Sequence, residues 1–177
     1  MINMRAIESV IVNGLKSYLS TAERPCEVVM QNQVAHIPPY PYVSYTITSP
    51  INEMKGTYSK AEDGTLYRNI LQTWSITVQS DEYDEALQLG MQIVDYFTAV
   101  GIFDLSNENI VVRNTTNLTA RDNLLTIQYE YRHGLDVTFG LVYSIEPLNN
   151  SFIETIEINK NESFVLGKSK LGFGVLG

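Results

Sequence analysis

The stretch Leu125-Thr126-Ile127-Gln128-Tyr129-Glu130-Tyr131-Arg132-His133-Gly134-Leu135-Asp136-Val137-Thr138-Phe139-Gly140-Leu141-Val142-Tyr143-Ser144-Ile145 decides how the rest of the chain is read. Leu125, Ile127, Tyr129, Tyr131, Leu135, Val137, Phe139, Leu141, Tyr143 and Ile145 are all odd-numbered, and alternation of period two marks a strand with one buried face. The phase survives passage through His133-Gly134. A two-residue hairpin there would pair Tyr131 with Asp136 and set an apolar face against a polar one, so that register is disfavoured. One long strand bent at Gly134 is preferred to a hairpin with the odd loop His133-Gly134-Leu135. Some 20 residues is long for a strand and calls for a bulge.

Upstream, Tyr67 to Gln79 shows the same alternation, with Trp74, Ile76 and Val78 set against Thr73, Ser75 and Thr77. Tyr42 to Thr48 sets Val43, Tyr45 and Ile47 against Ser44, Thr46 and Thr48. Between these two strands residues 49–66 are polar and charged and contain the turn dipeptide Asp63-Gly64, so they predict a loop or protruding hairpin joining two antiparallel neighbours. Pro38-Pro39-Tyr40-Pro41 is an extended connector that cannot feed a sheet ladder at its prolines. Cys26 to Asn32 and Asn109 to Arg113 read as short strands, and Phe152 to Ile158 as a last one.

Two segments switch to helical spacing. From Asn3 to Leu19, Ile7, Val10, Ile11, Leu15, Tyr18 and Leu19 share one stripe, and the helix stops before Pro25. In the second, Ser80 is expected as the cap and Asp81, Glu82, Asp84 and Glu85 favour the positive end of the helix dipole. Ala86, Leu89, Ile93, Val94, Phe97 and Val100 form the apolar stripe, and Gly101 is the expected stop. The expectation is an α+β single domain over residues 1–160, a mainly antiparallel mixed sheet packed by two amphipathic helices in the order α-β-β-β-α-β-β-β. A Gly-rich tail follows over 161–177, mobile or ordered by a neighbouring subunit.

Composition narrows the function. The 177 residues carry 20 Asp and Glu against 12 Lys and Arg, a formal net charge of −8, so the phosphate-neutralising surface that drives nucleic-acid affinity is missing overall. No apolar run spans a bilayer and no signal-peptide core opens the chain, which reads as made and used in the cytosol. A single cysteine, Cys26, supplies neither an internal disulfide nor a thiolate zinc site. His36 and His133, the two histidines, belong to no metal or nucleophile pattern. Gly167-Lys168-Ser169 lacks the earlier glycine of a phosphate loop. No cofactor is expected. An enzyme reading would need a cleft of Tyr40, Tyr42, Tyr129 and Tyr131, with Glu130 or His133 as base.

Four stretches together resemble a known family: the opening helix, Pro39-Tyr40-Pro41-Tyr42-Val43-Ser44-Tyr45, Trp74-Ser75-Ile76-Thr77-Val78-Gln79-Ser80 running into the second helix, and Tyr129 to Phe139. With Ile153-Glu154-Thr155-Ile156 as a closing strand, their order is similar to that of the tail terminator, or neck terminator, proteins of long-tailed bacteriophages and prophages. The resemblance covers residues 3–158. It implies a hexameric ring that caps the head-proximal end of the tail tube, stops polymerisation of the tube protein and presents a surface to the head-side connector. It implies no catalysed reaction. An adaptor one layer away, of head-closure or tail-completion type, is the competing expectation.

Size arithmetic is compatible with a ring that passes DNA. A compact chain of this length has a radius of gyration of about 16 Å and a diameter of roughly 40 Å, so six in a ring leave an opening of about 40 Å. A duplex passes that hole without specific binding if acidic side chains line it. Exposed loops on a sheet scaffold carry recognition, which makes Glu53, Lys55, Tyr58 and Lys60 of the polar insertion, with the C-terminal tail, the candidate partner contacts.

Overall fold

The computed structural model describes residues 4–21, 24–31, 36–53, 58–125, 128–146, 165–166 and 169–170. In chain order these form α1 (Met4–Leu19), β1 (Glu27–Met30), β2 (Tyr42–Glu53), β3 (Ser59–Lys60) and β4 (Leu66–Ser80). Then come α2 (Tyr83–Asp95), a π-helical turn (Tyr96–Val100), α3 (Ile102–Asn107), β5 (Ile110–Thr115), β6 (Thr119–Ala120), β7 (Asn123–Leu125), β8 (Gln128–Ile145), β9 (Val165–Leu166) and β10 (Ser169–Lys170). The chain divides into two compact units, residues 1–146 and 147–177. In the second, β9 and β10 pair antiparallel; the last strand expected at Phe152 to Ile158 lies outside the described residues.

The first unit is built on β8. Its long strand is real from Gln128 to Ile145, and β4 follows it antiparallel from Leu66↔Ile145 to Ser80↔Tyr131 with no slip in register. The bulge expected in this strand falls instead on its neighbours. β2 shifts against β4 between Ile47 and Ser49 and again before Asn52, and β5 shifts against β8 between Val112 and Asn114. On its other side β8 meets β5, β6 and β7 in turn, so residues 110–125 run back along it as one interrupted strand. Leu125 pairs with Gln128, which places it on β7 and outside the long strand. β1 closes the far edge in a parallel pair with β2, giving the order β1-β2-β4-β8-β5 with β3 beyond the end of β2.

The apolar residues of each strand meet in rows across the sheet. Tyr45, Ile76 and Leu135 form one row, and Ile47, Trp74 and Val137 the next. Trp74 is wholly buried, stacked on Tyr45 at 5.0 Å and met edge-on by Phe139 at 5.6 Å, and its indole N–H donates to Gln72 Oε1 at 2.7 Å. Such offset and edge-to-face contacts suit the ring quadrupole. Both main helices cover this face. α1 buries Ile11, Leu15 and Leu19, and the Tyr45 hydroxyl donates to Glu8 on that helix. α2 buries Ala86, Leu89 and Ile93.

Three details around α2 differ from the sequence expectation. Its N-cap is Glu82, two residues past Ser80. Ser80 still serves the helix start, because its Oγ accepts from the Glu82 N–H at 3.1 Å and donates to Glu85. The helix changes character before its end: α2 loosens into the π turn at Tyr96, Gly101 caps that turn as expected, and with an ordinary right-handed φ of −82° it also opens α3. The glycine is required by space, since a Cβ there would lie 2.6 Å from the ring of Tyr96. α3, absent from the sequence reading, buries only Leu105 and leaves Phe103 exposed. A six-residue helix with one buried side chain has too little periodicity to announce itself.

Cys26 is buried, and burial pushes its thiol up to about 11, only partly opposed by the Arg24 guanidinium. The thiolate is the reactive form, so iodoacetamide at neutral pH is expected to leave native Cys26 unmodified and to label it once urea unfolds the chain, as read by intact mass. Phe139→Ala should lower the unfolding free energy by about 3–5 kcal/mol, seen as a lower urea midpoint at an unchanged slope.

Candidate functional site

Within the polar insertion, residues 59–67 form a hairpin. Lys60 pairs with Leu66 and Ser59 with Tyr67. The loop between them is closed by Ala61 N–H to Thr65 O at 2.9 Å, Gly64 N–H to Ala61 O at 3.0 Å and Thr65 N–H to Asp63 Oδ1 at 2.9 Å. The backbone hydrogen bond from Thr65 is the main reason the exposed Asp63 carboxyl is held below its usual range. Gly64 has φ of 87°, the left-handed conformation glycine adopts without strain. The Asp63-Gly64 signal therefore marks a true turn.

Of the four candidate contact residues, Tyr58 and Lys60 come together on this hairpin, both exposed, Tyr58 to 40%. The Arg68 guanidinium lies over the Tyr58 ring at 5.3 Å and over Tyr143 at 5.2 Å, a cation–π bridge that ties the hairpin to the sheet. The backbone of Glu53 closes β2 opposite Ile70, and Lys55 lies outside the described residues.

The face of the sheet opposite the helices carries hydroxyls and paired charges. Arg121 lies across it and donates to Ser75 Oγ at 2.7 Å, Thr77 Oγ1 at 3.1 Å and Asp136 Oδ1 at 3.1 Å. Gly134 is what makes room: a Cβ there would stand 2.9 Å from that guanidinium. Its place in β8 is explained by this covering arginine, where the sequence suggested a bend. Nearer β2, Glu130 is buried and takes the Tyr40 hydroxyl at 2.8 Å and Arg132 Nε at 2.6 Å, with Arg132 Nη2 closing the ion pair. Tyr40 stacks on Tyr42 at 5.7 Å.

The aromatic cleft of the enzyme reading is not assembled. Strand alternation sends Tyr131 and His133 to the helix side, where each meets the Tyr83 ring edge-on at 5.7 and 5.5 Å. Tyr40, Tyr42 and Glu130 lie on the other face. Both oxygens of Glu130 are already engaged, and His36 is an exposed loop residue. At the acidic start of α2 Glu85 is likewise engaged, pairing with Arg24 at 2.6 Å. Among the described residues no group of three or more His, Cys, Asp and Glu is placed to hold a metal ion, and no helix is long and apolar enough to cross a membrane.

Comparison with known proteins follows this geometry. The family described as "Phage neck terminator protein" matches residues 6–164. No curated protein matches. One solved structure is 11% identical over 79% of this chain and 96% of its own, with a TM-score of 0.50; at that identity the likeness is one of fold.

Burial, and after it the hydrogen bond to Glu130, raises the Tyr40 hydroxyl from the usual 10.0 to about 12; Tyr45, Tyr42 and Tyr96 are raised too, burial again first. Each raised value means that the folded chain keeps a proton the unfolded chain releases. The contribution of Tyr40 to stability is therefore complete below pH 10 and is lost as pH climbs through 12, and the other three act in the same direction. The urea midpoint is expected to fall across that window, and less steeply in Tyr40→Phe. A midpoint that rises there would contradict the arrangement.

Proposed function

We propose, on the premise that this chain belongs to the phage neck terminator family, that it is a virion structural protein forming a ring, six copies in number, on the head-proximal end of the tail tube. The family match places its work in the neck and tail of a phage. The ring stops tube polymerisation and joins the tail to the head-side connector. It performs no catalysis, and DNA traverses its opening without specific binding. The observation that carries this reading is the family match across nearly the whole length of the chain.

Physical features support it. A ring of identical subunits joins two different patches head to tail and closes at a fixed number, and in this proposal the tube end is the template for closure. The excess of acidic residues suits a conduit that repels a moving polyanion weakly. The hairpin bearing Tyr58 and Lys60, with Glu53 and Lys55 before it, is the contact for tube or connector. An aromatic ring braced by Arg68 is a rigid anchor of the kind that dominates interfaces. The acidic lining of the opening is part of the same proposal. An adaptor of the head-closure type would share the fold and bind the capsid side instead.

Electron microscopy of purified tail-tube protein polymerised with this chain should show tubes of limited length ending in a ring. Unchanged tube growth would favour the adaptor. Tyr58→Ala should weaken capping by about 2 kcal/mol, roughly thirtyfold in the concentration needed, while Lys60→Glu should act mainly through the rate of association and lose its effect at high salt.

A further inference from the structure

Both outer strands of the main sheet are open. In the order β1-β2-β4-β8-β5, no strand among the described residues lies beyond β1 or beyond β5. An open edge presents a row of backbone N–H and C=O groups with which another strand can pair.

Strand direction fixes how two such edges meet. β1 runs parallel to β2, and each step from β2 to β4, β8 and β5 reverses direction. β5 therefore runs opposite to β1. Where the sheet of one copy is continued by the next, β5 meets β1 antiparallel, with the helix-covered faces on the same side.

Side-chain alternation then selects the register. Val28 and Met30 of β1 belong with the helix-covered core, as do Ile110 and Val112 of β5. Glu27 and Val29, opposite Tyr42 and Ser44, take the other face. So do Val111, opposite Gly140, and Arg113, whose Nε would stand 2.8 Å from a Cβ on that glycine. Setting Glu27 against Arg113 places Val28 against Val112, Val29 against Val111 and Met30 against Ile110. That is one pair of opposite charges and three apolar pairs, with every face matched. A slide of one residue turns every face over, and a slide of two sets Val29 against Arg113 or Glu27 against Val111. Val111 is 38% exposed and Arg113 is exposed. Lys16 bonds Oε2 of Glu27 at 2.7 Å, and a carboxylate accepts at both oxygens.

We propose that β5 of one copy pairs antiparallel with β1 of a second copy in this register, with Arg113 on Glu27, as the contact between neighbouring subunits. The inference rests on the ring proposed above and names its interface. The contact joins two different patches head to tail, as closure of a ring requires.

The test mixes two full-length chains, one carrying Val29→Cys and the other Val111→Cys, told apart by isotope labelling and mass. They are oxidised alone and together with tail-tube protein. The mixed disulfide should form at least tenfold faster than either homodimer, and at least tenfold faster than from Val29→Cys with Thr115→Cys. Adding Arg113→Glu to the second chain should slow it at least threefold, and Glu27→Lys in the first should restore it, which a loss of folding would not allow. Should either cysteine variant not fold, Glu27→Cys with Arg113→Cys carries the comparison of rates. Equal rates for all pairs, or a mixed disulfide indifferent to these charges, with and without tube protein alike, would overturn the contact. Rings on tube ends without the preferred disulfide would leave capping standing and remove this interface. The preferred disulfide without any ring on the tube would keep the interface and remove capping.

Discussion

The pairing of β4 with β8 is the constraint on which the rest of the structure depends. Fifteen residues of β4 run against β8 without a slip. A shift of one residue would turn every side chain of one strand to the opposite face. Because the register holds, Trp74, Ile76, Leu135, Val137 and Phe139 all lie on the side covered by the helices, and Thr73, Ser75, Thr77, Asp136 and Thr138 all face away. Irregularities are moved outward to β2 and β5, where the extra residues distort only one ladder each.

The two faces so created have different economies of contact. On the helix side Tyr96 occupies the space beside Gly101 and meets Phe97 edge-on at 5.0 Å, so the change from α2 to the π turn is held by aromatic packing. On the other side the sheet is finished by long polar side chains lying across it, Arg121 over Gly134 and Arg132 toward Glu130. The hairpin bearing Tyr58 extends the sheet beside the start of β4, tied down through Arg68.

What was legible in the chain follows from the range of each interaction. Alternation in β4 and β8, the stripes of α1 and α2 and the Asp63-Gly64 turn are local patterns, and each appears in the structure, save that Tyr18 and Val100, assigned to the two stripes, are exposed. The parity that identifies β8 also separates Glu130 from Tyr131 and His133, so the division of the supposed aromatic cleft between two faces was available from residue numbers alone. Other features had no local signal. Gly134 looks like a bend in isolation, and only the position of Arg121 explains it. α3 is too short to show a period, and the cap of α2 moved because Ser80 remains the last residue of β4. Tyr58 and Lys60 are exposed, as their place in a polar insertion led one to expect. The buried hydrogen bond from Gln79 to Ser44 had no local signal either, since its partners lie thirty-five residues apart.

The Arg121–Asp136 and Arg132–Glu130 pairs have a consequence for how this surface is sensed at a distance. Each is a closed dipole, and the field of a dipole fades faster than that of a single charge, so the formal −8 of the chain is felt from other parts of the molecule. Contacts made over these two pairs are consequently less sensitive to ionic strength than contacts made by single exposed charges such as Lys60 on the hairpin.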